Sequence, residues 1–338
     1  DLPGVYAVGL RLQVWHYLPL QTVREQVRRD FEFLKRAINV PPAPAAGLYD
    51  YYIPPRPDRI DISVSQYGVL GMWAAAQMGF DPGPQYWRLV EAAWTHWQAP
   101  SGGWAYGAEG RENAGLTGAM TAAGVATLFI TQDFLRGGDG VNCTGNPRNE
   151  AIEKGMAFLA RHYTAEANPL TREIPFYWLY GVERVAVASG RKRFGEHDWY
   201  EQGVRALGGF RRDDGSIAER TAVGREAIYN TAFSLLFLAR GYMPIAFSKL
   251  QYDGAWNQRP RDAANLARWF GRQFETEMHW QVVGIDDPAQ TFNDAPLLYV
   301  AGSKPLDLDP ARKARLRTFI ENGGLLVGHA DCESREFA

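Results

Sequence analysis

The stretch Gln98-Ala99-Pro100-Ser101-Gly102-Gly103-Trp104-Ala105-Tyr106-Gly107 constrains this chain most, because its Gly-rich turn and aromatic anchor recur. Gly47-Leu48-Tyr49 stands about 56 residues earlier and Asp214-Gly215-Ser216-Ile217 two periods later, a spacing typical of helical repeat arrays. An apolar segment carrying a small residue follows each turn. Gly9, Gly68, Gly124 and Gly181 fall roughly 55 to 60 residues apart, and Ala232 comes one short period later. Small residues at that spacing predict helices packed closely against others of the same kind.

Mostly apolar inner helices are expected over 5–17, 65–78, 116–131, 176–189 and 228–240, and charged outer ones over 22–38, 84–97, 146–163 and 198–207. The first outer helix carries Val23, Val27, Phe31, Leu34 and Ile38 at helical spacing. Inner and outer helices in alternation predict an α/α toroid of two concentric rings. A linear solenoid of helix pairs is the rival architecture, since periodicity alone does not separate a closed ring from an open one.

A chain of 338 residues is expected to hold two domains, because single cores stop growing near this size. Its formal charge of -2 supplies no electrostatic reason for nucleic acid or an anionic membrane as partner. No apolar run approaches the ~20 residues that span a bilayer. The start, Asp1-Leu2-Pro3-Gly4, is neither an initiator Met nor a signal peptide, so the chain is expected to be cut from something longer. That leaves an upstream signal peptide and a cell-envelope location open. Cys143 and Cys332 fall in what read as different domains, and no disulfide is expected between them.

The Gln98...Gly102-Gly103-Trp104 turn before an apolar helix resembles the Gln-Trp repeat of squalene and hopene cyclases, and more broadly the terpenoid cyclase and protein prenyltransferase toroid. The resemblance covers about residues 5–241. It implies a fold and no activity. The Asp-x-Asp-Asp acid motif and the Asp-Asp-x-x-Asp metal cluster that the resemblance would require for cyclisation are both missing. Of the zinc ligands that prenyltransferases use, only Asp139 with Cys143 offers a counterpart, in a Gly-rich loop without a nearby His. No metal, and no cyclase activity, is expected here.

Four charged pairs precede inner helices: Arg59 with Asp61, Arg111-Glu112, Arg172-Glu173 and Arg225-Glu226. In a toroid they would share one rim. As architecture, carboxylates near helix N-termini offset the helix dipole and pair with neighbouring arginines. As chemistry, two of Asp61, Glu112, Glu173 and Glu226 facing each other could act as acid and base on a sugar. The cavity beneath would be lined by Tyr67, Trp73, Phe176, Tyr177, Trp178 and Tyr229 with Asn230. An aromatic row at helical spacing is more often core.

After Gly241 the pattern changes. Extended segments are expected at 247–252, 280–283, 297–301 and 325–328, alternating with helices at 261–274 and 310–322, which argues a parallel α/β sheet. The domains are therefore expected at 1–243 and 244–338. Lys249-Leu250-Gln251-Tyr252-Asp253-Gly254, Arg259-Pro260-Arg261-Asp262, Asp294-Ala295-Pro296-Leu297-Leu298-Tyr299 and Gly323-Gly324-Leu325-Leu326-Val327 followed by Ala330-Asp331-Cys332 resemble the bacterial domain of unknown function 4159. That resemblance implies a truncated flavodoxin- or class I glutamine amidotransferase-like domain, without a known reaction.

The amidotransferase parallel makes Cys332 a candidate nucleophile, since it follows a strand. Its run, His329-Ala330-Asp331-Cys332-Glu333-Ser334, lacks the glycines of the strained elbow, and acidic neighbours would raise its thiol pKa. Ligands of open α/β sheets bind beyond the carboxyl ends of strands, which marks Asp253, Asn257, Arg259, Ser303 and Asp331 as the expected ligand edge. No Gly-rich phosphate motif appears, so no nucleotide cofactor is expected. The reading is a non-catalytic binding or assembly scaffold, with a protein, small-molecule, glycan or apolar ligand as partner. The alternatives are carboxylate acid/base chemistry at the toroid mouth, on a polysaccharide or an isoprenoid-like chain, and hydrolase or amidotransferase chemistry at Cys332.

Overall fold

The computed structural model of the chain describes residues 4–146, 148–171, 173 and 175–337. Packing divides the chain into two compact units, Asp1–Arg136 with Asn149–Gly181, and Gly137–Arg148 with Val182–Ala338.

The first unit is built of α1 (Val5–His16), α2 (Leu20–Ala37), α3 (Ile62–Gln77), α4 (Pro84–His96), α5 (Gly118–Arg136), α6 (Glu150–His162) and the first half of α7 (Pro175–Ser189). The short pair β1 (Trp104–Ala105) and β2 (Leu116–Thr117) brackets the loop before α5. Inner α1 packs on α3 and α3 on α5, while α2 lies against α1 and α3, and both α4 and α6 against α5. Burial follows that layering. Helices α3 and α5 are buried over most of their faces, whereas α2 buries a stripe of Val23, Val27, Phe31 and Leu34. Within the outer layer Asp30, 1% exposed, receives Arg11 at 2.7 and 2.5 Å and the Trp15 indole N–H at 3.0 Å.

The recurring turn has a physical explanation. Gly102, at φ +97°, sits on the Lys154 carbonyl of α6, where an added Cβ would lie 2.4 Å from the oxygen, and Gly47, at φ +87°, sits likewise on Leu89 of α4. Beyond each glycine the aromatic anchor lies on a glycine of the next inner helix, Tyr49 on Gly68 and Trp104 on Gly124. The anchor's backbone N–H then donates to a helix hydroxyl: Tyr49 to Ser65 at 2.9 Å, Trp104 to Thr121 at 3.2 Å. Each hydroxyl in turn donates a hydrogen bond to the carbonyl four residues back. A buried loop N–H is thereby satisfied without interrupting the helix.

The second unit carries the same device once more, with Ile217 N–H donating to Thr231 at 3.1 Å in α9 (Arg225–Gly241). It also contains the hairpin β3 (Arg193–Phe194) and β4 (His197–Asp198), and α8 (Trp199–Gly208) capped by Asp198. Alternating elements begin at Ile245: β5 (Ile245–Gln251), α10 (Asp262–Gln273), β6 (His279–Gly284), α11 (Ala289–Phe292), β7 (Leu297–Gly302), α12 (Pro310–Glu321) and β8 (Leu325–Ala330). The strands are all parallel, in the order β6-β5-β7-β8. Phe247, Tyr299 and Ala301 meet Ala263 and Ala267 of α10 on one face. Leu250, Val283, Leu298 and Val300 meet Phe292, Leu316 and Phe319 on the other. The sheet is thus covered on both faces, as a parallel sheet requires. Strand order reverses between β5 and β7, and open α/β sheets bind their ligands at the carboxyl ends of strands at such a point.

Candidate functional site

The helical rim comes first. Asp61 caps α3, accepting from Val64 N–H at 3.1 Å, and pairs with Arg59 at 3.1 Å. Arg59 and Arg56 also hold the fully buried Asp50 at 3.4 and 2.9 Å. Burial raises the pKa of Asp61 against the Val64 hydrogen bond, which lowers it. Tyr106 is pushed up to about 12, by burial first and then by the charges of Glu173 and Asp61. Glu173 binds the Asn168 amide at 2.9 Å, and Asn168 in turn accepts Ala119 N–H at the start of α5. Glu112 is exposed, and Arg111 contacts His96 at 3.1 Å and stacks on Trp97. Arg172 lies outside the described residues.

The aromatic residues expected to line a cavity do not all do so. Trp178 is 1% exposed, donates to the Thr164 carbonyl and packs on Tyr163, so it is core. Tyr67 is fully buried against Tyr6 and Tyr177, and Trp73 is half-buried near His16. In the second unit, Tyr229 is 57% exposed, Arg225 and Glu226 are exposed at the start of α9, and Asn230 is half-buried. A surface cavity of ≈ 840 Å³ does occur at the turn before α9, lined by Arg211, Arg212, Asp213, Glu219 and Arg220, none of them an expected site residue.

The carboxyl edge of the sheet gathers most of its expected residues. Arg259 Nε donates to Asp331 Oδ1 at 3.1 Å, and the same oxygen lies 3.5 Å from His329 Nε2. Asp331 is 1% exposed, and its Oδ2 accepts no hydrogen bond among the described residues. Beside it Lys249, also 1% exposed, donates to Asn257 at 2.9 Å, to Asp262 at 2.6 Å and to the Arg259 carbonyl at 3.4 Å. Tyr299 donates to Asp262 at 3.2 Å, and the Tyr252 hydroxyl donates to the Ala301 carbonyl at 2.8 Å. Burial pushes the Lys249 pKa down, and Asp262 partly restores it. Burial and then the charge of Asp262 push the Tyr299 phenol up. Ser303 sits at the same edge, its carbonyl accepting from Ser334. Asp253 does not join the group: it is exposed and paired with Arg312 of α12 at 3.1 Å.

Lys249, Asp262, Tyr299 and His329 were not among the expected ligands. The signal lay in β5 itself. A lysine between Phe247 and Leu250 in a strand covered on both faces must be paired to remain there.

The cysteines require a correction. Cys143 and Cys332 form a disulfide, with Cα atoms 5.7 Å apart across 189 residues of chain. They were expected in different domains, but Gly137–Arg148 leaves the helical series and packs with the second unit. With both sulfurs bonded, Cys332 has no thiol to serve as nucleophile, and Cys143 has none for a metal. No group of three or more His, Cys, Asp and Glu suited to a metal occurs among the described residues. Nor is any helix among them long and apolar enough to cross a membrane.

Residues 246–338 match the family described as Domain of unknown function (DUF4159). Among solved structures, that of the type II terpene cyclase MstE from Scytonema, in its apo form, is similar at 16% identity and a TM-score of 0.31. The match covers 70% of this chain and 87% of that one. At that score the likeness does not decide whether the helices close into a ring. The comparison with curated proteins returned no match.

Proposed function

We propose that this chain is a non-catalytic binding protein, in which residues 1–243 form a toroidal scaffold and the carboxyl edge of the sheet seats a ligand. One observation carries the reading: Asp331, directly after β8 at the carboxyl edge of the sheet, is buried with one carboxylate oxygen lacking a hydrogen bond among the described residues. Such an oxygen costs about 1–3 kcal/mol, which an N–H or O–H donor from a ligand would recover. Lys249 against Asp262 and Arg259 against Asp331 balance their charges, so a neutral donor gains most. Sugars, polyols and small amides have that chemistry. Saturation-transfer NMR with a mixture of neutral mono- and disaccharides, polyols and small amides, on oxidised and reduced protein, tests it. At least one compound should bind, and Asp331→Asn should weaken it; silence from all of them in both states defeats the reading.

A second reading rests on Tyr106, whose surroundings place the charges of Asp61 and Glu173 near one phenol. There Asp61, its pKa raised by burial, would be the acid and Glu173 its partner, on a polysaccharide or an isoprenoid-like chain. The Arg59 pairing and the capping role of Asp61 weigh against it. Glycan turnover abolished by Asp61→Asn would reverse that preference.

A further inference from the structure

The segment Gly137–Arg148 is separated from the sheet by nearly a hundred residues of chain, yet its backbone lies on the residues that roof the edge site. At Gly140 an added Cβ would stand 3.0 Å from the Gln258 carbonyl and 3.6 Å from Arg259 Cα; at Gly145 it would stand 2.9 Å from Gln258 Oε1. Beneath Gln258, Asn257 and the Arg259 carbonyl receive Lys249, and the Arg259 side chain covers Asp331. The order from outside inward is loop, roof, buried charges. The Cys143–Cys332 disulfide pins the loop to the residue that follows Asp331.

We infer that this disulfide is a redox latch on the edge site, holding the loop over residues 257–259 when oxidised and releasing it when reduced. The inference rests on the ligand-seat reading for its purpose, though not for its test.

The chemistry balances with a dithiol reductant. A thiolate of the reductant attacks Cys143 Sγ, the bond to Cys332 breaks, and Cys332 leaves as thiolate. Arg259 Nη2 lies 3.3 Å from Cys332 Sγ and 3.8 Å from Cys143 Sγ, so the positive charge is nearest the sulfur that must leave as an anion. The second reductant thiolate then displaces Cys143. Two electrons and two protons have passed to the protein, and the reductant is left as its disulfide.

Lys249 reports on the latch without any ligand. At 1% exposure its amine is shielded from an acylating reagent, and it reacts when the cover opens. The test is acylation with an acetyl succinimidyl ester, followed peptide by peptide by mass spectrometry, with the exposed Lys304 as internal reference. On reduction by dithiothreitol the Lys249 rate relative to Lys304 should rise about tenfold or more, as expected for local opening, and fall back on reoxidation. Cys143→Ser should show the fast rate without reductant. An unchanged Lys249 rate in fully reduced protein overturns the latch. So does reduction that abolishes the far-UV circular dichroism of the whole unit, since the disulfide is then a structural brace.

The same samples keep the two readings apart. Uncovering of Lys249 with no sugar, polyol or amide bound in either state leaves the latch and removes the ligand seat. Equal binding in both states, with Lys249 protected in both, does the reverse.

Discussion

The two units handle buried polarity differently. In the first, polar side chains are used in repeating ways: Ser65 and Thr121 each take an anchor N–H and donate a hydrogen bond to their own helix, one period apart. Asp30, which does not repeat, has both oxygens engaged by Arg11 and Trp15. In the second unit Lys249 and Asp331 are buried toward the carboxyl ends of parallel strands, where Asp331 keeps one oxygen without a partner among the described residues. Polarity that repeats, or is fully satisfied, builds the fold. Trp94 Nε1 and Thr127 Oγ1 are single neutral atoms without a partner among the described residues inside the helical core, whereas the Asp331 oxygen belongs to a charged group beside other buried charges at a strand edge.

The sharpest way to break that comparison is to remove both aspartates. Asp30→Ala strands the Arg11 and Trp15 donors and should cost about 3 kcal/mol in urea unfolding. Asp331→Ala loses one ion pair but also removes the unpartnered oxygen, and should cost less than ~1 kcal/mol. Equal losses would mean that Asp331 is as structural as Asp30. Next in size, Thr121→Val leaves the buried Trp104 N–H without an acceptor and should cost about 2 kcal/mol. Thr231→Val, at a half-buried copy of the device, should cost about half as much by the same measurement.

Smaller effects distinguish the units by the sign of their pH dependence. Lys249 has a folded pKa below its unfolded value of ~10.4, so its contribution is complete above that value and is lost as pH falls through the folded one. Relative to Lys249→Met, the wild type should therefore gain stability as pH rises from neutral to ~10.5. Asp61 runs the other way. Its folded pKa is raised, so its contribution is complete below the unfolded ~3.9 and is lost as pH rises through the folded value. Relative to Asp61→Asn, the wild type should gain stability, by less than at Lys249, as pH falls to ~3.5. Urea midpoints across pH check both, and the same sign in both units would remove the contrast.

Much of the fold was legible because it depends on short-range periodicity. The helices lie within a few residues of where apolar spacing put them, although α9, expected as an inner helix, exposes Ile228, Tyr229, Leu235 and Leu236, and the four strands of the sheet follow the extended segments at 247–252, 280–283, 297–301 and 325–328. Less was legible at the site. Asn257, Arg259, Ser303 and Asp331 were expected at a ligand edge because strand ends are readable, whereas Asp253 sits at the same kind of end and turns to Arg312. Which way a side chain at a strand end turns depends on its nearest charged neighbour, and that neighbour came from a distant helix.

The sequence by itself determined the helix series, the glycine turns that let loop backbone rest on the outer helices, and the parallel alternation after Ile245. Those features arise from steric and hydrophobic rules acting over a few residues or one repeat. Only the tertiary structure decided that Cys143 meets Cys332, that Lys249 is buried among Asn257, Asp262 and Arg259, and that Asp331 keeps an oxygen without a partner. Each joins residues from separate elements, and a distance between such residues is set by how whole layers pack, for which local sequence carries no signal.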